Sequence, residues 1–491
     1  MALLRQWAIV PGSRLAILTA RRITLSRPNA RPELLVVTKV AESQHPPRSG
    51  GTGRRRARAA LILPLLVSRP LAAQQARPWV PTLLGAQITV IGQTLRPFDS
   101  PYRGPNSLDP HGATLATHSY GVYGGMALAP WLQLYLDGEM ALGQGVGTGL
   151  AGLPNGDVIR QGNVELAKAP YISRVFLKAL IPVGTDTERV GRGPDQLPGI
   201  QPGTRLELKA GKLAASDDFD QNRYANSTRT QFMNWGLWNN SAWDFAADTR
   251  GYSWGLVVAW VRPAWEVRLG SYMMPTFANG NVFDGDLVHA RGDNLQLTLR
   301  PRRLGTVLRL LAYQNHGRMG VYADALARAS AAGSVPDIVA DDQPDRVKYG
   351  LGLSAEQPVA DAGETGFFLR AGWNDGRTED FCFTEADRHF SLGLQAAGRR
   401  WGRSDDRLGF GVLRHGLAPD HARYLAAGGS GFLLGDGRLD YAHELIAELY
   451  YRIQVGALLE LSPEVQHVWN PGYNRDRGPA TVLSLRLNAR Y

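Results

Sequence analysis

The sequence predicts an all-β fold, a closed antiparallel transmembrane β-barrel of about sixteen strands, and three observations predict it. From Leu84 onward most of the chain breaks into segments of roughly ten residues in which apolar and polar side chains alternate, the period of a strand with two different faces. Charged residues recur in mid-strand opposite apolar ones, a pattern odd for a soluble core and natural for a pore wall. Beyond residue 73 there is no run of about 18 apolar residues, so no helix is available to cross a bilayer.

Charge and processing come first along the chain. The formal net charge of +10 suggests a nucleic-acid partner. That reading fails once the charge is located: residues 1–73 hold 13 of the 54 basic and 2 of the 44 acidic residues, leaving 41 against 42 in the rest. Arg54, Arg55, Arg56 and Arg58 precede the apolar run Ala59–Val67 and the small residues Ala72 and Ala73. This is the order of a secretory signal peptide, assigned to 53–73 with cleavage after Ala73. Residues 1–52, Arg-rich and interrupted by Pro, read as a start placed too far upstream or as a disordered extension; the barrel domain is 74–491. The single Cys382 excludes an intramolecular disulfide framework and a cysteine metal cluster.

The strands follow in order. Leu84, Ala86, Ile88 and Val90 alternate with Gly85, Gln87, Thr89 and Ile91. A second strand, Ser119–Leu128, turns at Ala129-Pro130 into a third, where Leu132, Leu134, Leu136 and Met140 oppose Gln133, Tyr135, Asp137 and Glu139. The fourth lies within Val164–Leu180, where the pattern is muddled and a helix is also compatible. The fifth alternates Arg205, Glu207 and Lys209 with Leu206, Leu208 and Ala210. Then come Tyr252–Val261, Trp265–Tyr272, a strand around Leu295–Leu299, Thr306–Gln314, Tyr349–Gln357, Gly366–Asn374, His389–Ala397, Leu408–Leu413, Tyr441–Ile453, Gly456–Trp469 and the closing Thr481–Tyr491. Short links (Ala129-Pro130, Arg262–Ala264, Pro301–Gly305, Gln454-Val455) alternate with long ones (216–251, 316–348, 375–387, 415–439), as short periplasmic turns and long outer loops do. The link 181–203 should be short and is not. An even count puts both termini in the periplasm.

In the closing strand, Leu483, Leu485, Leu487 and Tyr491 share a face assigned to lipid, and Arg486 and Asn488 face the channel. It must pair with Leu84–Gln93 to close the barrel. Trp131, Trp265, Tyr450, Tyr451, Trp469 and Tyr491 lie at strand ends, where aromatic girdles belong, and Tyr491 is expected to serve as the assembly signal.

Two sets of residues are candidates for contact with a solute. Asp137, Glu139, Arg205, Glu207, Lys209, Arg309, Arg370, Glu448 and Arg486 are inward-facing charges that can line a constriction and orient polar solutes. Trp235 and Trp238 belong to the aromatic and amide-rich loop 216–251, whose flat rings suit the C–H faces of sugars or pack the loop against the wall. No metal or other cofactor is expected: Asp218-x-Asp220-x-Asn222 mimics the start of a calcium loop, but Arg223 stands where Gly is needed. The scattered histidines have no serine partner in a nucleophile context, so no catalytic residue is expected.

The stretch Gly211–Trp235 (GKLAASDDFDQNRYANSTRTQFMNW) with Ala242–Gly255, the run GRSDDRLGFGV from Gly402, and the C-terminal LSPEVQHVWNPGYNRDRGPATVLSLRLNARY resemble carbohydrate-selective porins of the OprB type. The resemblance implies a sixteen-stranded barrel that lets monosaccharides such as glucose diffuse across the outer membrane of a Gram-negative bacterium. It implies an Arg-lined eyelet with acidic partners, best assigned to Arg205 and Glu207. A general or ion-selective porin is the alternative, and a barrel enzyme or adhesin a third. The partners expected are small sugars, outer-membrane lipid, the barrel-assembly machinery and, as an open alternative, further copies in a homotrimer; nucleic acid is not among them. The first fifty residues have no counterpart in the family.

Overall fold

The computed structural model describes residues 82–157, 168–301, 305–381 and 384–491. The signal-peptide assignment, part of the segment assigned to the fourth strand, and Cys382 lie outside them. The strands are β1 (Leu83–Leu95), β2 (Ala113–Ala129), β3 (Leu132–Gly143), β4 (Tyr171–Pro182), β5 (Thr187–Val190), β6 (Gly199–Pro202), β7 (Arg205–Leu213), β8 (Ser253–Val261) and β9 (Trp265–Met273). They continue as β10 (Arg291–Leu299), β11 (Val307–Met319), β12 (Gln343–Ala360), β13 (Thr365–Asn374), β14 (Arg388–Gly398), β15 (Arg403–Gly416), β16 (Glu444–Val455), β17 (Leu459–Trp469) and β18 (Ala480–Arg490). All but β5 and β6 form one closed antiparallel barrel, each strand beside its neighbours in chain order; β5 and β6 pair only with each other.

Closure is made by β1 and β18, in register from Gln87 opposite Arg490 to Leu95 opposite Val482. It leaves no edge of the barrel unpaired, the condition for backbone amides to reside in lipid. Alternation sorts the faces. Leu483, Leu485 and Leu487 are exposed on the outer surface while Ser484, Arg486 and Asn488 between them are buried. On β3 the neighbours Leu136 and Asp137 are 52% and 5% exposed. A charge turned the other way, to lipid at mid-depth, costs about 2 to 4 kcal/mol, so the register is strongly fixed.

Trp131, Trp469 and Tyr491 are exposed, joined by Trp254, Trp260 and Trp401. Tyr450 corrects the girdle expectation. It adjoins Tyr451 in β16, so one of the two must point inward, and Tyr450 is wholly buried with its ring 5.0 Å from Phe232 and edge-on to it.

The muddled fourth strand has a local cause. The β3–β4 register shifts between Asp137 and Gly138, a bulge that breaks the period of two. The long connections carry structure that alternation does not announce: α1 (Trp235–Trp238), α2 (Tyr322–Ala332) and α3 (Pro419–Ala426). The long link after β4 is the β5–β6 hairpin.

Candidate functional site: the lumen

The loop between β7 and β8 folds into the barrel, and side chains of the wall hold it there. The Glu448 carboxylate accepts hydrogen bonds from the backbone N–H groups of Met233 and Asn234, at 2.7 and 2.9 Å. Arg370 donates to the carbonyls of Leu237, Asp220 and Ala225, at 2.8, 3.0 and 2.7 Å, and pairs with the Asp220 carboxylate at 2.9 Å. Arg486 donates to the carbonyls of Thr228 and Gln231. Glu444 does the same for the loop after β3, accepting from Ala151 and Gly152 as well as from Gly472. Irregular backbone at membrane depth needs such partners.

Packing completes the seat. Phe219, Tyr224, Phe232, Trp243 and Phe245 are buried between loop and wall. At Gly372 in β13 a Cβ would collide with the Asn240 amide, so the loop's close approach requires glycine there. Asn234 caps α1 by accepting from the Gly236 N–H at 3.1 Å.

What remains is a cavity of about 780 Å³, within the range of roughly 300–1,000 Å³ usual for small-molecule sites. Its barrel wall comes from β1 to β4, β7, β9 to β11 and the end of β18, and its other side from the in-folded loops. Charges of both signs cross it in two groups. Nearer the loops, Arg229 pairs with Asp157 and, at 3.3 Å, with Glu139. Glu139 also accepts from the hydroxyls of Tyr252 and Tyr171, at 2.6 and 3.2 Å. Arg174 reaches Asp217 at 2.6 Å and Asp137 and Asp195 at 3.5 Å each, with its guanidinium 5.1 Å from the Tyr252 ring centre.

Nearer the short turns, Asp218 bridges Lys209 at 2.7 Å and Arg268 at 2.6 Å. Glu207 lies 3.2 Å from Arg205, 3.4 Å from Arg268 and 3.9 Å from Lys178. Burial alone would weaken the charge of loop residue Arg229. The carboxylates of Asp157 and Glu139 outweigh it and raise its pKa above the ordinary arginine value.

Of the residues singled out in the sequence, Glu139, Arg205, Glu207, Lys209, Arg309, Trp235 and Trp238 border this cavity. Asp137 lies behind Arg174. Arg370, Glu448 and Arg486 point inward as expected but are covered by the loop, almost fully buried and away from the cavity; they are anchors because the backbone they bind lies between them and the open space. Most of the loop aromatics are packing, and Trp235, Trp238 and Phe245 are those that reach the cavity. Asp218 and Asp220 turn to different partners, Lys209 with Arg268 and Arg370 respectively.

Sequence reading missed Arg174, Lys178, Tyr171, Arg229, Tyr252 and Arg268. Arg268 was legible, since it alternates with Glu266 on a recognised strand. Arg174 and Lys178 were hidden by the bulge, and Arg229 sits in a loop with no period.

A closed barrel with a polar interior, narrowed by an in-folded loop and lined by both signs of charge, is a passive outer-membrane channel. Residues 187–491 match the family model described as carbohydrate-selective porin, OprB family, and the chain belongs to that family. The high-pH structure of Pseudomonas putida OprB covers 84% of this chain and 94% of its own, at 16% identity and a TM-score of 0.61. The outer-membrane channel DcaP of Acinetobacter baumannii covers 83% and 96%, at 7% identity and a TM-score of 0.48. Identities this low speak to the fold alone. No curated protein sequence matches the chain.

Proposed function

We propose that this channel passes small neutral sugars, monosaccharides such as glucose, by diffusion without energy input, with the periplasm on the side of the short turns. The observation that carries the reading is the chemistry of the cavity. Tyr171, Tyr252, Trp235 and Trp238 line it beside guanidinium and carboxylate groups already paired with each other, with Arg250 and Arg174 lying against the rings of Tyr171 and Tyr252. A neutral polyhydroxyl solute can exchange hydrogen bonds with such pairs without an unpaired ion being formed, whereas an ion of either sign meets its own charge close by. The known function of the family supports the same substrate class. Outer-membrane lipid surrounds the apolar belt, the barrel-assembly machinery inserts the chain, and a homotrimer is an arrangement for the same preparation to test.

The experiment is single-channel recording in planar bilayers with glucose added. The expected result is stable conductance that falls as glucose rises, with the block weakened in Arg229→Ala, whose removal leaves Glu139 and Asp157 without their shared cation. Channels indifferent to sugars would overturn the sugar reading in favour of a general or ion-selective porin, and absence of any channel would overturn both.

A further inference from the structure

The β5–β6 hairpin interrupts the rim of short turns, and its placement gives it a task. Neighbouring turns on that rim take two or three residues, 130–131 between β2 and β3 and 262–264 between β8 and β9, whereas 183–204 intervene between β4 and β7. A turn is enough to join antiparallel neighbours, and Pro182 already stands opposite Arg205 in the β4–β7 register. The extra chain is therefore not needed to build the wall.

It is nonetheless an ordered piece. Its tip is a tight turn in which the amides and carbonyls of Gly193 and Gln196 bond reciprocally at 3.2 and 3.3 Å. Pro194 and Asp195 form the corner, Asp195 at a φ of 53°; proline first and a residue tolerant of the left-handed region second are what a type II turn requires. The base is tied by Glu188 to Arg205 at 2.7 Å. The tip is tied to the wall by the Leu197 N–H donating to the Tyr135 hydroxyl at 3.1 Å and by Asp195 to Arg174. Arg192 donates to the carbonyls of Leu84 and Tyr491, beside the closing seam. These ties run from β7 through β4 and β3 to β1, contiguous staves of the barrel apart from β2, an arc on the order of 20 Å at about 4.8 Å per strand.

Thr187, Glu188, Arg189, Gly199 and Ile200 of the stem are exposed, but Asp195, Gln196 and Leu197 at the tip are half-buried. Pro194, Asp195, Gln196 and Gln201 border the cavity together with Arg205, Arg300 and Arg490, residues at the short-turn ends of their strands or just beyond.

We infer that this hairpin is the second wall of the constriction, reaching in from the rim opposite the in-folded loop, and that Asp195 is a selectivity-determining residue of the channel. The loop enters the lumen from one end and the hairpin from the other, and the two meet at Arg174, which Asp217 of the loop and Asp195 of the hairpin both reach, so one narrow passage is bounded from both sides. Asp195 also sets the charge of the passage. Arg174 faces three carboxylates, on β3, the hairpin and the β7–β8 loop, and removing the one on the hairpin leaves the lumen more positive, which favours anions. The inference rests on the channel and not on the sugar.

The test replaces residues 185–202 with Asn-Gly, a sequence suited to a short hairpin turn, and compares folded barrels, identified by their heat-modifiable migration on gels, in potassium chloride. The expected result is a severalfold rise in single-channel conductance, with liposome swelling that admits trisaccharides as readily as glucose. Unchanged conductance and an unchanged size limit in the folded variant would overturn the inference. Asp195→Asn, which keeps the hairpin and its size, gives the second readout: the reversal potential in a salt gradient is expected to move toward anion selectivity, and an unmoved potential would refute the role assigned to Asp195. If the wild-type channel ignores glucose, the sugar reading falls while both results here stand.

Discussion

The two halves of the barrel wall present similar side chains to the interior and use them differently. From β1 through β11 the inward charges pair with other charges beside the cavity: Glu139 with the loop residue Arg229, Glu207 with Arg205 and Arg268. On β13 and β16 inward charges meet backbone: Glu444 and Glu448 collect N–H groups, and Arg370 collects carbonyls. The first half shapes a passage. The second works as a scaffold that supplies the hydrogen bonds a helix or sheet would otherwise have given the loops. The same residue types thus act as selectivity groups or as structural ligands according to whether a loop lies over them.

The comparison breaks most visibly at Arg370. Its guanidinium is wholly buried, paired with Asp220 and bonded to three carbonyls. Arg370→Leu leaves that carboxylate and those carbonyls uncompensated, a loss of about 3 to 5 kcal/mol for a broken buried pair. The expected outcome is a lowered unfolding temperature in detergent together with a larger, noisier conductance as the loop leaves its seat. An equivalent change at a cavity residue such as Lys209 would alter selectivity with a smaller thermal shift. Equal thermal losses at the two sites would erase the distinction between the walls.

A smaller effect tests how the scaffold half is closed over by the outer loops. On α3, His421 has its Nδ1 3.0 Å from the Asp387 carboxylate and its Nε2 3.1 Å from the Tyr322 hydroxyl on α2, whose ring stacks on it at 4.2 Å. Asp387 also accepts from the Ala418 N–H. Lys348 with its partner Asp380, and Glu385, face the same pocket. Burial would lower the His421 pKa, but Asp387 foremost, then Asp380 and Glu385, outweigh it and raise it. Burial would raise that of Asp387, but His421 and Lys348 lower it.

The signs define a window. The His421 contribution is complete below the ordinary histidine value of about 6.5 and is lost as pH climbs through its raised value. The Asp387 contribution is complete above about 3.9 and is lost as pH falls through its depressed value. Hydrogen exchange in α2, corrected for intrinsic rates, is therefore expected to be slower near pH ~6 than near pH ~9, and His421→Gln is expected to flatten the difference. A flat profile in the unaltered protein would show that the contact does not hold the loops.

Much of the fold was legible because a period of two reports directly on which face a side chain takes. In Leu483 to Tyr491 and in Leu132 to Met140 the alternation is unbroken, and those strands lie where the sequence puts them. It failed at β4, where a bulge removes the period, and at Tyr450, where two adjacent tyrosines cannot share a face. The lumen was legible only to the level of inward or outward. Arg205 and Arg370 have the same signature, and what separates them is a loop some 130 to 150 residues away in sequence from Arg370. Arg229 reaches the passage from that loop, where no periodicity marks it. The helices α2 and α3 were missed because the reading treated long links as loops.

The division of the wall is tested most directly by two serines of equal size. Ser119 on β2 is 4% exposed and borders the cavity, whereas Ser391 on β14 is fully buried on the scaffold side, away from it. In a Cys382→Ser background, Ser119→Cys and Ser391→Cys are each inserted in a planar bilayer and exposed to a charged thiol reagent during recording. The expected result is a stepwise loss of conductance for Ser119→Cys and none for Ser391→Cys; modification of Ser391→Cys at a comparable rate would contradict the account.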